Sequence, residues 1–218
     1  DQPQSFLNDL MRAAIDAANP LRVVPPYLPS PPKGRTVVLG AGKASAAMAK
    51  AVEENWPGEV SGLIVTRYGF NVTCELIEIV QAAHPVPNTA GREAASRILA
   101  MARDLGPEDM CLALMSGGAS ALLTQPAEGI SFEDKQEVNR LLLRSGANIT
   151  EINTVRKHLS AVKGGHLARA IRPAQLVTLM ISDVPGDDPG VIGSGPTVPD
   201  PTTFADARTV VDKYGIDL

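Results

Sequence analysis

Apolar positions along the chain follow two rhythms. Leu7, Leu10, Met11, Ala14, Ile15 and Ala18 recur at helical spacing and predict a helix over 5–18, ended by Asn19-Pro20. Short unbroken apolar runs predict five buried strands: TVVLG (36–40), GLIVTR (62–67), ELIEIVQA (75–82), MCLALMS (110–116) and QLVTLMISDV (175–184). Amphipathic stretches lie between and after them, at 42–56, 89–106, 131–146, 149–159, 163–171 and 204–215, with a short helix starting in 117–123. Asn88 and Ser131 stand where helix caps belong, and Asp134 takes the capping-box position as a shorter acid than the usual Glu. Residues 20–35 carry six prolines and predict a stiff connector. Strands alternating with helices imply parallel βαβ units, hence a mostly parallel, doubly wound α/β sheet in a single domain spanning 1–218.

Composition narrows the reading further. The chain is 44% hydrophobic and only 4% aromatic, so Ala, Val, Leu and Ile must build the core. The net charge is -4 and no basic stripe interleaves with aromatics, which argues against nucleic-acid binding. No apolar run is long enough for a membrane span, and the first residues lack the pattern of a signal peptide. Cys74 and Cys111 form no disulfide framework and no metal-type cluster. A reducing cytoplasm is the expected setting.

The candidate chemistry lies in small-residue loops after the strands. GAGKAS (40–45), SGGAS (116–120) and SDVPGDD (182–188) each follow a strand, and GSGPT (193–197) comes soon after. In an open parallel sheet, strand C-termini share one edge, and ligands bind there. GAGKAS is not a P-loop: Val37 and Ala44 stand where Gly and Ser or Thr are needed. It is not a full dinucleotide fingerprint either, because Ser45 replaces the third glycine. Arg67, at the end of the second strand, could meet the extra phosphate of NADP and keeps a reductase open.

Lys43 is read in the first turn of a helix, where the macrodipole disfavours a cation unless an anion binds beside it. Ser116, Gly117, Gly118, Ala119 and Ser120 offer backbone N–H groups and hydroxyls for a phosphate or carboxylate. Asp183 and Asp187 suit a Mg²⁺ ion that also contacts a substrate phosphate. His84 lies in an extended loop before Pro85. Arg156 and Lys163 sit in VRKHLSAVKGG. Each has a bland reading as well: packing for the glycines, a turn for the acids, solvated faces for the bases.

Taken in order, GAGKAS, HPVPN, LMSGGASALL, NTVRKHLSAVKGGHLA and ISDVPGDDPGVIGSGPTVPDP resemble the N-terminal domain of glycerate 2-kinases of the MOFRL type. Members are often labelled hydroxypyruvate reductases. The resemblance runs from about Leu7 to the last residue. It implies a Rossmann-like three-layer α/β/α sandwich. The implied activity is transfer of the γ-phosphoryl group of ATP to D-glycerate, giving 2-phosphoglycerate with Mg²⁺. Lys43 matches the lysine at the reaction centre and Asp183 an acid of the same cleft. Gly40, Gly42, Ser45, His84, the 116–120 loop, Arg156, Lys163, Ser194 and Gly195 match the anion-binding lining. Asn88 stands where the family pattern has Asp. Nothing matches the family's smaller C-terminal domain, so the expectation is one domain of a longer, two-domain enzyme, inactive alone. The expected partners are nucleotide and D-glycerate, with a homodimer open. The rivals are an NADP-dependent hydroxypyruvate reductase and a non-catalytic domain binding a small acid.

Overall fold

A computed structural model describes residues 3–216. Helix α1 (Pro3–Ala17) precedes α2 (Pro20–Val23) and a 3-10 turn at Pro25–Tyr27. Then come β1 (Thr36–Ala41), α3 (Ser45–Asn55), β2 (Val60–Arg67), β3 (Ile77–Ala82), α4 (Thr89–Arg103), β4 (Met110–Ser116) and α5 (Ala119–Leu122). The chain continues through α6 (Phe132–Arg144), α7 (Ile149–His158), α8 (His166–Ile171), β5 (Gln175–Ile181), a 3-10 turn at Ile192–Ser194 and α9 (Phe204–Lys213).

All five strands are parallel, in the order β3-β2-β1-β4-β5. The order explains the unbroken apolar runs of the inner strands β1 and β4, which are covered on both faces and need no polar side; the expectation of five buried strands fails at the edges, where β3 and β5 are only partly buried because each has a neighbour on one side alone. Along β1, Val37, Leu39 and Ala41 point into one core layer and Val38 into the other. Alanines on α3 (Ala49, Ala51) and α4 (Ala94, Ala95, Ala102) sit in these two layers and let the helices lie close to the sheet. That replaces the bulk that scarce aromatics would supply. A third cluster joins α6, α7 and α9 through Val138, Leu142, Ile152, Val155, Ala207 and Val210. Cys111 is fully buried and unpaired, and burial pushes its thiol up to about 12.

Three expectations are corrected. The proline stretch is not wholly a connector: Asn19 caps Leu21 N–H at 3.1 Å, and Pro20 sits at the helix start, where its missing N–H is harmless. Lys43 lies before the α3 cap, Ala44, not inside the first turn. The amides of Gly42 and Lys43 are taken by Val65 O (3.0 Å) and Gly117 O (2.9 Å), so these residues form a turn anchored to the neighbouring strand β2 and to the 117–118 loop. The helix expected from Lys163 begins at His166, after Gly164 and Gly165 in the left-handed region. Helix α1 buries none of its residues, and Phe6, Leu7, Leu10, Met11 and Ile15 are exposed.

Candidate functional site

The strand order reverses between β1 and β4. From β1 the chain goes outward to β2 and β3, then returns to β4 on the other side. Connections leaving opposite ways open a crevice at the C-terminal ends of β1 and β4. The loops 42–44 and 117–118 form its two lips. Neither α3 nor α5 carries a side-chain cap at its start, so their first N–H groups are not closed off by a local side chain.

Three polar side chains meet over the 117–118 loop. A Cβ at Gly117 would stand 2.1 Å from Asp183 Oδ2, so the carboxylate occupies the place a side chain would need. A Cβ at Gly118 would lie 3.2 Å from the His84 ring and 3.3 Å from Lys43 Cε. Gly118 also has φ +87°, which a side chain would strain. The glycines therefore keep the loop thin enough for Lys43, His84 and Asp183 to converge. Lys43 Nζ and the Asp183 carboxylate make no hydrogen bond or ion pair among the described residues, and both side chains are at least partly open to solvent. Burial, then the Lys43 and Arg67 cations, pulls the His84 imidazole below its ordinary pKa, and Asp183 opposes them. His84 is accordingly held toward its neutral form beside a lysine. Arg67 is exposed at the same edge, its guanidinium 5.4 Å above the Phe70 ring.

The serines of these loops have another task. Ser116 Oγ accepts the Ala44 N–H at 3.0 Å and meets Ser45 Oγ at 3.0 Å, and Ser45 Oγ donates to Leu114 O at 3.2 Å. Both serines are buried. Their hydroxyls knit the two lips of the crevice together and do not face it. Gly42 is bare for the same reason: its Cβ would fall 2.0 Å from Ser116 Oγ. Gly40 is bare because its Cβ would strike Leu114 O on the next strand. Ser120 Oγ meets Ser194 Oγ at 2.7 Å, and Ser194 Oγ donates to Asn153 Oδ1 at 3.1 Å. This chain of hydroxyls ties the 116–120 loop to the 193–197 loop and to α7. Ala119 is buried, and Gly195 O accepts the Gly165 N–H at 2.8 Å.

Arg156 and Lys163 line a separate cavity that none of the three converging side chains enters. Lys163 Nζ donates to Ser120 O and Leu123 O at 2.8 Å each. Asp187 is exposed with φ 53°, and among the described residues no three His, Cys, Asp or Glu side chains gather as a metal group. Asp183 still suits Mg²⁺, which keeps several waters and takes one or two carboxylates beside substrate phosphates. Among the described residues its carboxylate makes no hydrogen bond or ion pair. Asn153 and Thr66 escaped sequence reading. Thr66 Oγ1 donates to Gly42 O at 3.0 Å and holds the lysine loop from below. Both look like ordinary residues of an element interior, and only the fold gives them their partners.

Comparison with known proteins agrees with this geometry. Residues 6–218 match the family described as "Domain of unknown function (DUF4147)". A protein named "Putative hydroxypyruvate reductase" in Agrobacterium vitis is 57% identical over 216 residues, covering 99% of this chain and 49% of that protein. D-glycerate 2-kinase of Thermotoga maritima is 43% identical over 211 residues, covering 96% of this chain and 51% of the kinase. The crystal structure of a glycerate kinase from Thermotoga maritima superposes with a TM-score of 0.90 at 40% identity, over 99% of this chain and 53% of that one. The chain thus spans about half the length of the curated relatives it matches. With a matched segment that takes in the whole sheet and every loop of the crevice, the chain belongs to the DUF4147 family, and it shares its fold with a glycerate kinase of known structure.

Proposed function

We propose that this chain supplies the nucleotide- and glycerate-binding crevice of an ATP-dependent D-glycerate 2-kinase, which forms 2-phosphoglycerate with Mg²⁺. The observation that carries the proposal is the convergence of Lys43, His84 and Asp183 on Gly117–Gly118 at the switch point. The relatives named as glycerate kinases support it. Phosphoryl transfer needs little covalent help from a protein; it needs positioning and a sink for negative charge. Lys43, a cation at the uncapped start of α3, sits where it can neutralise charge on the transferring group. Asp183, held against Gly117, orients the glycerate hydroxyl or holds Mg²⁺, which would bring charge neutralisation of its own. A neutral His84 donates or accepts one hydrogen bond without adding charge.

The reductase reading loses ground on one point. Ser45, at the third position of the dinucleotide fingerprint, has its side chain buried and bonded to Leu114 O. Calorimetric titration with MgATP and D-glycerate, against NADPH and hydroxypyruvate, tests the proposal. Saturable binding of the first pair, lost in Lys43→Met, is the expected result. Binding of NADPH with neither ATP nor glycerate bound would overturn it.

A further inference from the structure

Between α5, α6 and α7 lies a small cavity lined by three cations and no acid. Lys163 is 2% exposed and Lys135 8%, and Arg156 reaches in from α7. Lys163 Nζ holds two carbonyls at the end of α5, as described above. Lys135 Nζ donates to Leu159 O at 2.6 Å and reaches Gln125 O at 3.5 Å. Arg156 donates Nε–H to Asn139 Oδ1 at 2.6 Å, and its Nη2 reaches the same oxygen. An ammonium has three N–H donors and a guanidinium five, so each cation keeps at least one donor unengaged. None of the three is in an ion pair among the described residues. The Ser120 and Thr124 hydroxyls also line the space.

Three cations this close and this dry repel one another, and water does little to screen them. Burial, with Arg156 adding to it, pulls the Lys135 ammonium to about 7 and drives Lys163 well below its ordinary value. Either the fold holds these lysines neutral or a counter-charge enters. Size decides which anion could. About 20 Å³ is open to the centre of a water-sized sphere. One such centre needs ~10–15 Å³. That room is one or two water-sized centres, which favours the smallest anions over a phosphate or a carboxylate.

We propose that the cavity binds a monatomic halide, chloride in solution, as the counter-charge of Lys135, Arg156 and Lys163. The ion would pin α6 and α7 to the end of α5, whose first residues follow directly on Gly118. The site would thereby stiffen the floor of the crevice from behind. No part of this depends on the kinase reading, because neither glycerate nor nucleotide enters it.

Thermal melting of the whole chain tests it, with chloride raised from ~5 to ~200 mM and ionic strength held by sodium gluconate, an anion too large to enter. The expected result is a rise of about 4 °C or more with chloride and with bromide. Lys135→Met should abolish that rise, and Arg156→Gln should weaken it. Should either variant fail to fold, wild-type crystals grown in bromide give an independent readout: one anomalous peak between Lys135 and Lys163. Identical melting in chloride and gluconate overturns the proposal and leaves the lysines neutral. A bromide peak without any melting shift also overturns it, as an adventitious ion only.

Discussion

The Asp183 carboxylate lies against the Cα of Gly117, so that a Cβ there would come within 2.1 Å of Oδ2. Gly117 comes directly after β4 and Asp183 two residues after β5, and the sheet sets them side by side through the β4–β5 register, Ser116 opposite Ile181. The relationship makes Gly117 a spacer for a carboxylate rather than for a strand.

Gly117→Val should push Asp183 out of the crevice and abolish binding of MgATP or D-glycerate. The fold should survive, because the clashing atoms are the end of an exposed side chain that can swing away. A melting curve within ~1 kcal/mol of wild type is expected alongside the lost binding. A variant that binds normally would show that the carboxylate has no part in the site.

Lys43→Met should weaken ligand binding and leave stability unchanged or higher by a few tenths of a kcal/mol, since a cation near a helix start is disfavoured. Among the described residues the Lys43 side chain has no hydrogen-bond or ion-pair partner to lose. In a complete enzyme the same change should lower turnover roughly 10²–10³-fold, the usual effect of removing one donor that stabilises transition-state charge. Calorimetry and melting, run on the same sample, check both halves. A lowered melting temperature with unchanged affinity would make Lys43 structural.

Ser116→Ala should act through the scaffold. It leaves the Ala44 N–H without its acceptor and takes a partner from Ser45 in a buried place. An unsatisfied buried donor costs about 1–3 kcal/mol. Denaturant unfolding should report a loss of that size with the m-value unchanged. A full-strength fold with impaired binding would instead return Ser116 to the ligand.

His84 predicts a pH effect. Its folded pKa lies below the unfolded value of about 6.5, so the unfolded chain binds the extra proton first. Stability should therefore fall as pH drops below about 6.5, until the folded form also titrates. His166 is shifted the same way and adds to the slope. His84→Gln should flatten part of it in melts between pH 7 and pH 5. An unchanged slope would show that His84 is not held neutral.

Sequence alone determined the strands, their parallel order in principle, and the edge where chemistry belongs. Those features follow from local signals: apolar runs, caps at Asn88 and Ser131, and small-residue loops after β1, β4 and β5. Lys43, His84 and Asp183 were legible because each stands in a small-residue loop just after a strand, at the edge where ligands bind. Tertiary structure alone decided what each group faces. Ser45, Ser116 and Ser194 read as ligand hydroxyls; the fold pairs the first two with one another and gives Ser194 to Ser120 and Asn153. Gly40 and Gly42 read as ligand glycines until the neighbouring strand proved to occupy their Cβ positions. Lys163 read as an anion ligand of the crevice, and its neighbour Lys135 carried no signal; packing of α6 and α7 buried both around a separate cavity. The physical reason is the same in each case. Periodicity reports which side of an element is buried, whereas a hydrogen-bond partner 43 to 74 residues away is fixed only when the layers close.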